Sequence, residues 1–194
     1  PLEKYTWVTL KPRLHSIMTP WMAEGFFSEV VVLVEGEDDR AAIVGASLAL
    51  KHDLESKGIS EIPCGGKNNL VRPALVFRSF GIPTYIIWDS DKDKDGNPRP
   101  NHILLRVVGE TPTDWPSGVF SNYACFENKL EDTLSIEIGK PLYTQLMDNC
   151  RQQLGDLTRE EAQKNPRVCG ELLLEANRQN ASSTTLTSIV NAII

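Results

Sequence analysis

The stretch Glu29-Val30-Val31-Val32-Leu33-Val34-Glu35-Gly36-Glu37-Asp38-Asp39 decides the fold. Its first half is a short, continuous, mostly β-branched run, the pattern of a strand buried on both faces in a parallel sheet. Its second half turns abruptly acidic. Asp38 and Asp39 suit the first turn of a helix, where the unpaired N–H groups favour negative charge. Ala41, Ala42, Ile43, Ala46, Leu48, Ala49 and Leu50 then make a strongly apolar helix, expected to end at Gly58.

Working outward, Ile59 to Pro63 reads as a second strand, and Cys64-Gly65-Gly66-Lys67-Asn68-Asn69 as a turn. Leu70 to Phe80 is expected to be a helix with Pro73 in its first turn and Gly81 at its close. Pro83 to Trp88 is a third strand, rich in β-branched and aromatic residues, that runs straight into Asp89-Ser90-Asp91. A polar loop follows, Asp89 to Pro100. Strands alternating with helices through short turns are the signature of right-handed βαβ crossovers. Upstream, Pro1 to Gly25 mixes Pro, Trp and Met without a clean period and reads as an approach segment. Downstream come a short helix in Asn101 to Gly109, a Pro-rich loop from Thr111 to Gly118, and one more strand from Val119 to Phe126. From Lys129 to Ile194 the pattern is mostly helical, with Leu142, Leu146 and Cys150 sharing one face and Leu172, Leu173, Leu174 and Ala176 in another helix. The expected fold class is α/β, a parallel sheet flanked by helices with a smaller, mostly helical subdomain. The divisions are residues 1–26 as approach segment, 27–127 as sheet core and 128–194 as helical subdomain.

The 194 residues, 41% hydrophobic and 24% charged, with 13 Gly and 12 Pro, exclude a disordered, collagen-like or disulfide-scaffold protein. The longest apolar run stops at Glu35, far short of the roughly 18–20 residues that span a bilayer. The start resembles no signal peptide, and its lack of Met suggests a piece of a longer protein. Cys64, Cys125, Cys150 and Cys169 show no CxxC or Cys/His spacing, so free thiols and a cytoplasmic location are expected. With 20 Lys+Arg against 26 Asp+Glu, the net charge of −6 offers no general attraction for a phosphate backbone. That balance changes meaning if the acids surround metal ions.

In open parallel sheets, ligands bind beyond the carboxyl ends of the strands. There the first strand ends in Glu35 and the third in Asp89 and Asp91. Gathering several carboxylates on neighbouring strand ends is costly through repulsion and desolvation unless a cation compensates them. Oxygen-only ligation suits Mg²⁺, Mn²⁺ or Ca²⁺ rather than zinc. An isolated Asp-x-Asp serves equally well as a turn former. Glu35, set between an apolar run and a glycine, is harder to explain that way.

The segments Val34-Glu35-Gly36-Glu37-Asp38-Asp39, Gly65-Gly66-Lys67 and Ile86-Ile87-Trp88-Asp89-Ser90-Asp91 resemble, in order and spacing over about the first 110 residues, the Toprim domain of topoisomerases, bacterial primases and several nucleases. A finer resemblance is to the overcoming-lysogenisation-defect (OLD) family nucleases, in which an ABC-type ATPase precedes a Toprim nuclease region. It is carried by Met22-Ala23-Glu24-Gly25-Phe26-Phe27-Ser28 before the first strand, and by Phe126-Glu127-Asn128-Lys129-Leu130. This chain has no Walker-type phosphate loop of its own.

The resemblance implies two-metal cleavage of a DNA phosphodiester, with two Mg²⁺ (or Mn²⁺ or Ca²⁺) ions. Glu35, Asp39, Asp89 and Asp91 would be ligands, Glu127 the further acid, and Glu131 a weaker candidate. It also implies a lysine from the C-terminal helices, here Lys164, that stabilises transition-state charge. Lys164 is equally readable as an ordinary solvated lysine. Lys67 is either a phosphate contact or an exposed turn residue, and Lys92, Arg99 and Arg106 are either backbone contacts or local counter-charges. His15, His52 and His102 match no ligand spacing, and Trp115 and Tyr123 read as packing residues. The implied partners are DNA and an N-terminal ATPase region, without a membrane.

Two other readings stand beside this one. A phosphatase of the haloacid-dehalogenase type also places Asp-x-Asp after a parallel strand, but it wants Thr or Val where this chain has Asp93, and it leaves Glu35-Gly36 unexplained. A non-catalytic Toprim-like scaffold would use the acids for a structural metal or for assembly. Within Toprim, a topoisomerase would need a tyrosine nucleophile, for which Tyr143 is the residue to inspect.

Overall fold

The computed structural model describes residues 19–94 and 96–194. Its centre is a five-stranded sheet of β1 (Val30–Val34), β2 (Ile59–Pro63), β3 (Thr84–Asp89), β4 (Gly118–Val119) and β5 (Tyr123–Phe126), in the order β2-β1-β3-β5-β4. β2, β1, β3 and β5 are parallel, with Val30 opposite Ile59, Val32 opposite Tyr85 and Asp89 opposite Phe126; β4 is the antiparallel edge. The helices are α1 (Pro20–Gly25), α2 (Glu37–Ala49), α3 (Val71–Ser79), α4 (Arg99–Val108), α5 (Leu130–Ile138), α6 (Lys140–Gln153), α7 (Arg159–Gln163), α8 (Pro166–Arg178) and α9 (Thr184–Ile193).

Because successive strand residues point to opposite faces, the unbroken apolar strands build two cores. Val32, Val34, Tyr85, Ile87, Ala124 and Phe126 face α2, α5, α6, α8 and α9. Val31, Leu33, Ile86, Trp88, Tyr123 and Cys125 face α1, α3 and α4. The C-terminal helices therefore share one apolar layer with the sheet. Within that layer α2 and α8 cross at Gly45 and Gly170, so closely that a Cβ on Gly45 would lie 2.7 Å from Cys169 Cβ, Gly170 N and the Pro166 carbonyl.

Three elements depart from the sequence expectation. The helix after β1 stops at Ala49 rather than running on to Gly58, because Lys51 turns left-handed (φ 61°) and His52 N–H closes onto the Ser47 carbonyl at 2.8 Å. A 3-10 turn, Glu55–Lys57, fills the interval before Gly58. The expected strand Val119 to Phe126 is a hairpin, with β4 and β5 joined by Phe120-Ser121-Asn122. Part of the approach segment is helical: Thr19 Oγ1 caps α1 by accepting from Met22 N–H at 3.3 Å. Residues 1–18, including His15, lie outside the described residues.

Among the described residues no helix is long and apolar enough to cross a membrane. All four cysteines are unpaired, and burial pushes the Cys64, Cys125 and Cys169 thiols up to about 12.

Candidate metal centre

The carboxyl ends of β1 and β3 bring four acids to one region. Glu35 follows β1 directly, and its carboxylate bridges two neighbouring segments. Oε1 accepts from Asp89 N–H at 2.8 Å and Oε2 from Lys67 N–H at 3.1 Å. Asp39, one turn into α2, reaches back so that Oδ2 accepts from Gly36 N–H at 3.1 Å, satisfying a free donor at the helix start. Asp89 ends β3, and its Oδ1 accepts from Leu130 N–H at 3.1 Å, at the first turn of α5. Asp91 sits left-handed (φ 57°) with Oδ2 2.6 Å from Lys67 Nζ.

Electrostatics distinguish two halves of this group. Burial raises the Asp39 carboxyl to about 7, with the negative charges of Asp38 and Glu35 adding to it. Burial likewise raises Asp89 to about 8, with Asp39 and Glu35 adding their repulsion. Glu35 is raised chiefly by burial, against which its bond from Asp89 N–H and the charge of Lys67 act. One half therefore has a cation beside it and the other half has none.

The donor chemistry of this group is of the kind that suits a hard divalent cation. One oxygen of Asp39 is held by Gly36 N–H and one of Asp89 by Leu130 N–H, and among the described residues both carboxylates lack the positive charge that would let them ionise freely. The donors are oxygens only, since the buried thiols remain protonated near neutral pH. Among the described residues no three His, Cys, Asp or Glu side chains converge tightly enough to hold an ion as they stand.

The remaining candidates are dispersed. Glu127 is half exposed and pairs with Lys92 across the loop after β3. Glu131 instead lines a cavity with Asp38, Asp39, Leu130, Tyr143, Gln163 and Cys169, and it pairs with Arg159 at 3.5 Å. Lys164 is exposed just after α7, 2.6 Å from Glu160, though the charges of Asp38 and Glu37 also act on it. Tyr143 is buried, and burial pushes its hydroxyl up, away from a nucleophile's range. Tyr123 packs between Trp88 and Phe120. His102 pairs with Asp114 at 2.8 Å, and Arg99 and Arg106 are exposed on α4. From the sequence alone Glu131 ranks below Glu127 as a further acid. The periodicity of α5 contained a hint, since Leu130 and Leu134 are buried and Glu131 begins the helix beside Asp89.

An open, mostly parallel sheet with Glu after its first strand and Asp-x-Asp after its third is a Toprim-type α/β domain. Residues 26–91 match the family model described as the TOPRIM domain of overcoming lysogenization defect protein-like proteins. The C-terminal region of the Burkholderia pseudomallei OLD protein has the same fold at 21% identity, TM-score 0.56, covering 86% of this chain and 97% of that one. The C-terminal region of the Xanthomonas campestris pv. campestris OLD protein agrees at 22% identity, TM-score 0.53, covering 88% and 94%. At these identities the likeness is one of fold. No curated protein matches the chain in sequence.

Proposed function

We propose that this chain is the nuclease region of an OLD-family ATPase-nuclease, cleaving DNA phosphodiesters with two divalent cations, Mg²⁺ or Mn²⁺ among them. The observation that carries the reading is the pair Asp39 and Asp89, half-buried side by side at the first turn of α2 and the end of β3, with raised carboxyls and, among the described residues, no cation beside them. A protein that wanted only a turn there would not bear that cost.

Asp39, Asp89, Asp91 and Glu35 would hold the ions, with Glu131 or Glu127 as a further acid. Divalent ions held there would supply a water nucleophile at neutral pH and stabilise the leaving oxygen. The chain's own part is to place them. Glu35 locks the ends of β1 and β3 together through Asp89 N–H, and Leu130 N–H fixes one oxygen of Asp89 so that the other points away. Lys92, Lys94 and Lys129 surround the Asp91 loop and offer contacts to a phosphate backbone. Lys164 would stabilise charge on the reacting phosphate after exchanging its Glu160 partner. An ATPase region preceding this one in the full protein is part of the same reading.

The Lys67–Asp91 pair favours a second reading, in which the centre is a scaffold whose charge is balanced internally. Supercoiled plasmid incubated with Mg²⁺, Mn²⁺ or Ca²⁺, beside a chelator control and an Asp89→Ala variant, separates the two. Nicking or linearisation that needs metal and disappears in the variant supports the nuclease. No cleavage with any metal supports the scaffold.

A further inference from the structure

We infer that Lys67 is a tethered cation that occupies part of the metal centre, must leave Asp91 before the centre loads, and thereby selects divalent over monovalent ions. The inference rests on the metal-centre reading above and adds a specificity-determining residue to it.

The contact is built rather than incidental. Lys67 Nζ lies 2.6 Å from Asp91 Oδ2, and the two side chains are only 10% and 14% exposed. By contrast Lys94, the other amine near Asp91, stands 3.4 Å from Oδ1 and is 70% exposed. The turn that carries Lys67 is fixed to the same centre. Lys67 N–H donates to Glu35 Oε2 at 3.1 Å, and Gly66 N–H donates to the Glu35 carbonyl at 2.8 Å. Gly65 and Gly66 have φ values of 72° and 119°, and a Cβ on Gly66 would meet nothing, so glycine is required there for the backbone path and not for space. That path aims the lysine stem inward.

Lys67 therefore gives Asp91 and Glu35 the positive charge that Asp39 and Asp89 lack. An ammonium is a compact point charge on a flexible four-carbon stem, so it can leave one carboxylate without moving the backbone behind it. A monovalent ion that replaced it would bring the same charge and lose its own hydration, with no electrostatic gain. A divalent ion brings twice the charge and can serve Asp89 and Asp91 together. The pair sets a charge threshold for entry.

Mn²⁺ binding to the full chain, followed by electron paramagnetic resonance at fixed pH and ionic strength, tests this without any substrate. Lys67→Met is expected to bind Mn²⁺ about tenfold more tightly than wild type, the competing ammonium having gone. Lys67→Arg, which keeps the charge, is expected to bind no more tightly than wild type. Should Met disturb the turn, Lys67→Gln gives the same readout with a neutral side chain that still donates hydrogen bonds. Equal or weaker Mn²⁺ affinity in a folded neutral variant overturns the inference while leaving the metal centre standing. Absence of Mn²⁺ binding in wild type and variants alike overturns the metal-centre reading, and the inference with it.

Discussion

Asp89 is held by one backbone N–H, that of Leu130, and no lysine, arginine or histidine touches it among the described residues. Its raised carboxyl is therefore a local cost of the metal-free fold. Asp89→Asn keeps an oxygen for Leu130 N–H and removes the charge. It is expected to stabilise the metal-stripped protein at pH 8 by on the order of 1–3 kcal/mol in chemical denaturation, while abolishing metal-dependent cleavage. The pH dependence has a definite sign. The folded values of Asp39 and Asp89, about 7 and about 8, exceed the ordinary 3.8, so across pH 4 to 8 the folded state binds more protons than the unfolded one. Thermal stability of the stripped protein should fall through that window and level off above it, and saturating Mg²⁺ should flatten the fall. A melting temperature that climbs from pH 5 to 8 without metal would contradict this.

At the scale of elements, two contacts tie helices of this layer to one another. The Gly45–Gly170 crossing leaves no room for a methyl group, since its nearest neighbours include backbone atoms that cannot swing aside. Gly45→Ala should cost about 1–3 kcal/mol, read as a lower denaturation midpoint, and should loosen Lys164 relative to α2. At the far end of α5, Glu137 accepts from Ser183 Oγ at 2.6 Å, Thr184 Oγ1 at 2.8 Å and Thr185 Oγ1 at 2.7 Å, which ties α9 in place. Those bonds hold its carboxyl below the usual range. Glu137→Ala should cost about 1–3 kcal/mol and raise hydrogen exchange in α9 before the sheet is affected.

Which elements carry the acids was legible because strand pattern and strand ends are local properties: the run before Glu35 and the run before Asp89 announce themselves. The stop at Lys51 was not, because a lysine adopts the left-handed region only rarely and nothing in the local sequence marks it, the turn being closed by His52 N–H on the Ser47 carbonyl. Nor was the placing of Glu131 beside the cavity, or Lys67 on Asp91, since both depend on how α5 and the glycine turn pack against strands distant in sequence.

For the whole molecule, a net charge of −6 and an acidic centre repel a polyanion until cations arrive. In a gel-shift assay, retention of a DNA duplex should weaken at least about tenfold when Ca²⁺ is replaced by chelator, and Lys92→Glu with Lys94→Glu should weaken it further at any salt. Binding indifferent to divalent ions would place the contact elsewhere. The helix crossing has one more consequence, for biosynthesis. The strands that carry the acids emerge from the ribosome before Gly170, which must clear the exit tunnel before it can dock on Gly45. A nascent chain can thus assemble its sheet before α8 docks on α2, so the cavity shared by Asp39, Glu131 and Cys169 closes only after the strands that carry the acids are in place.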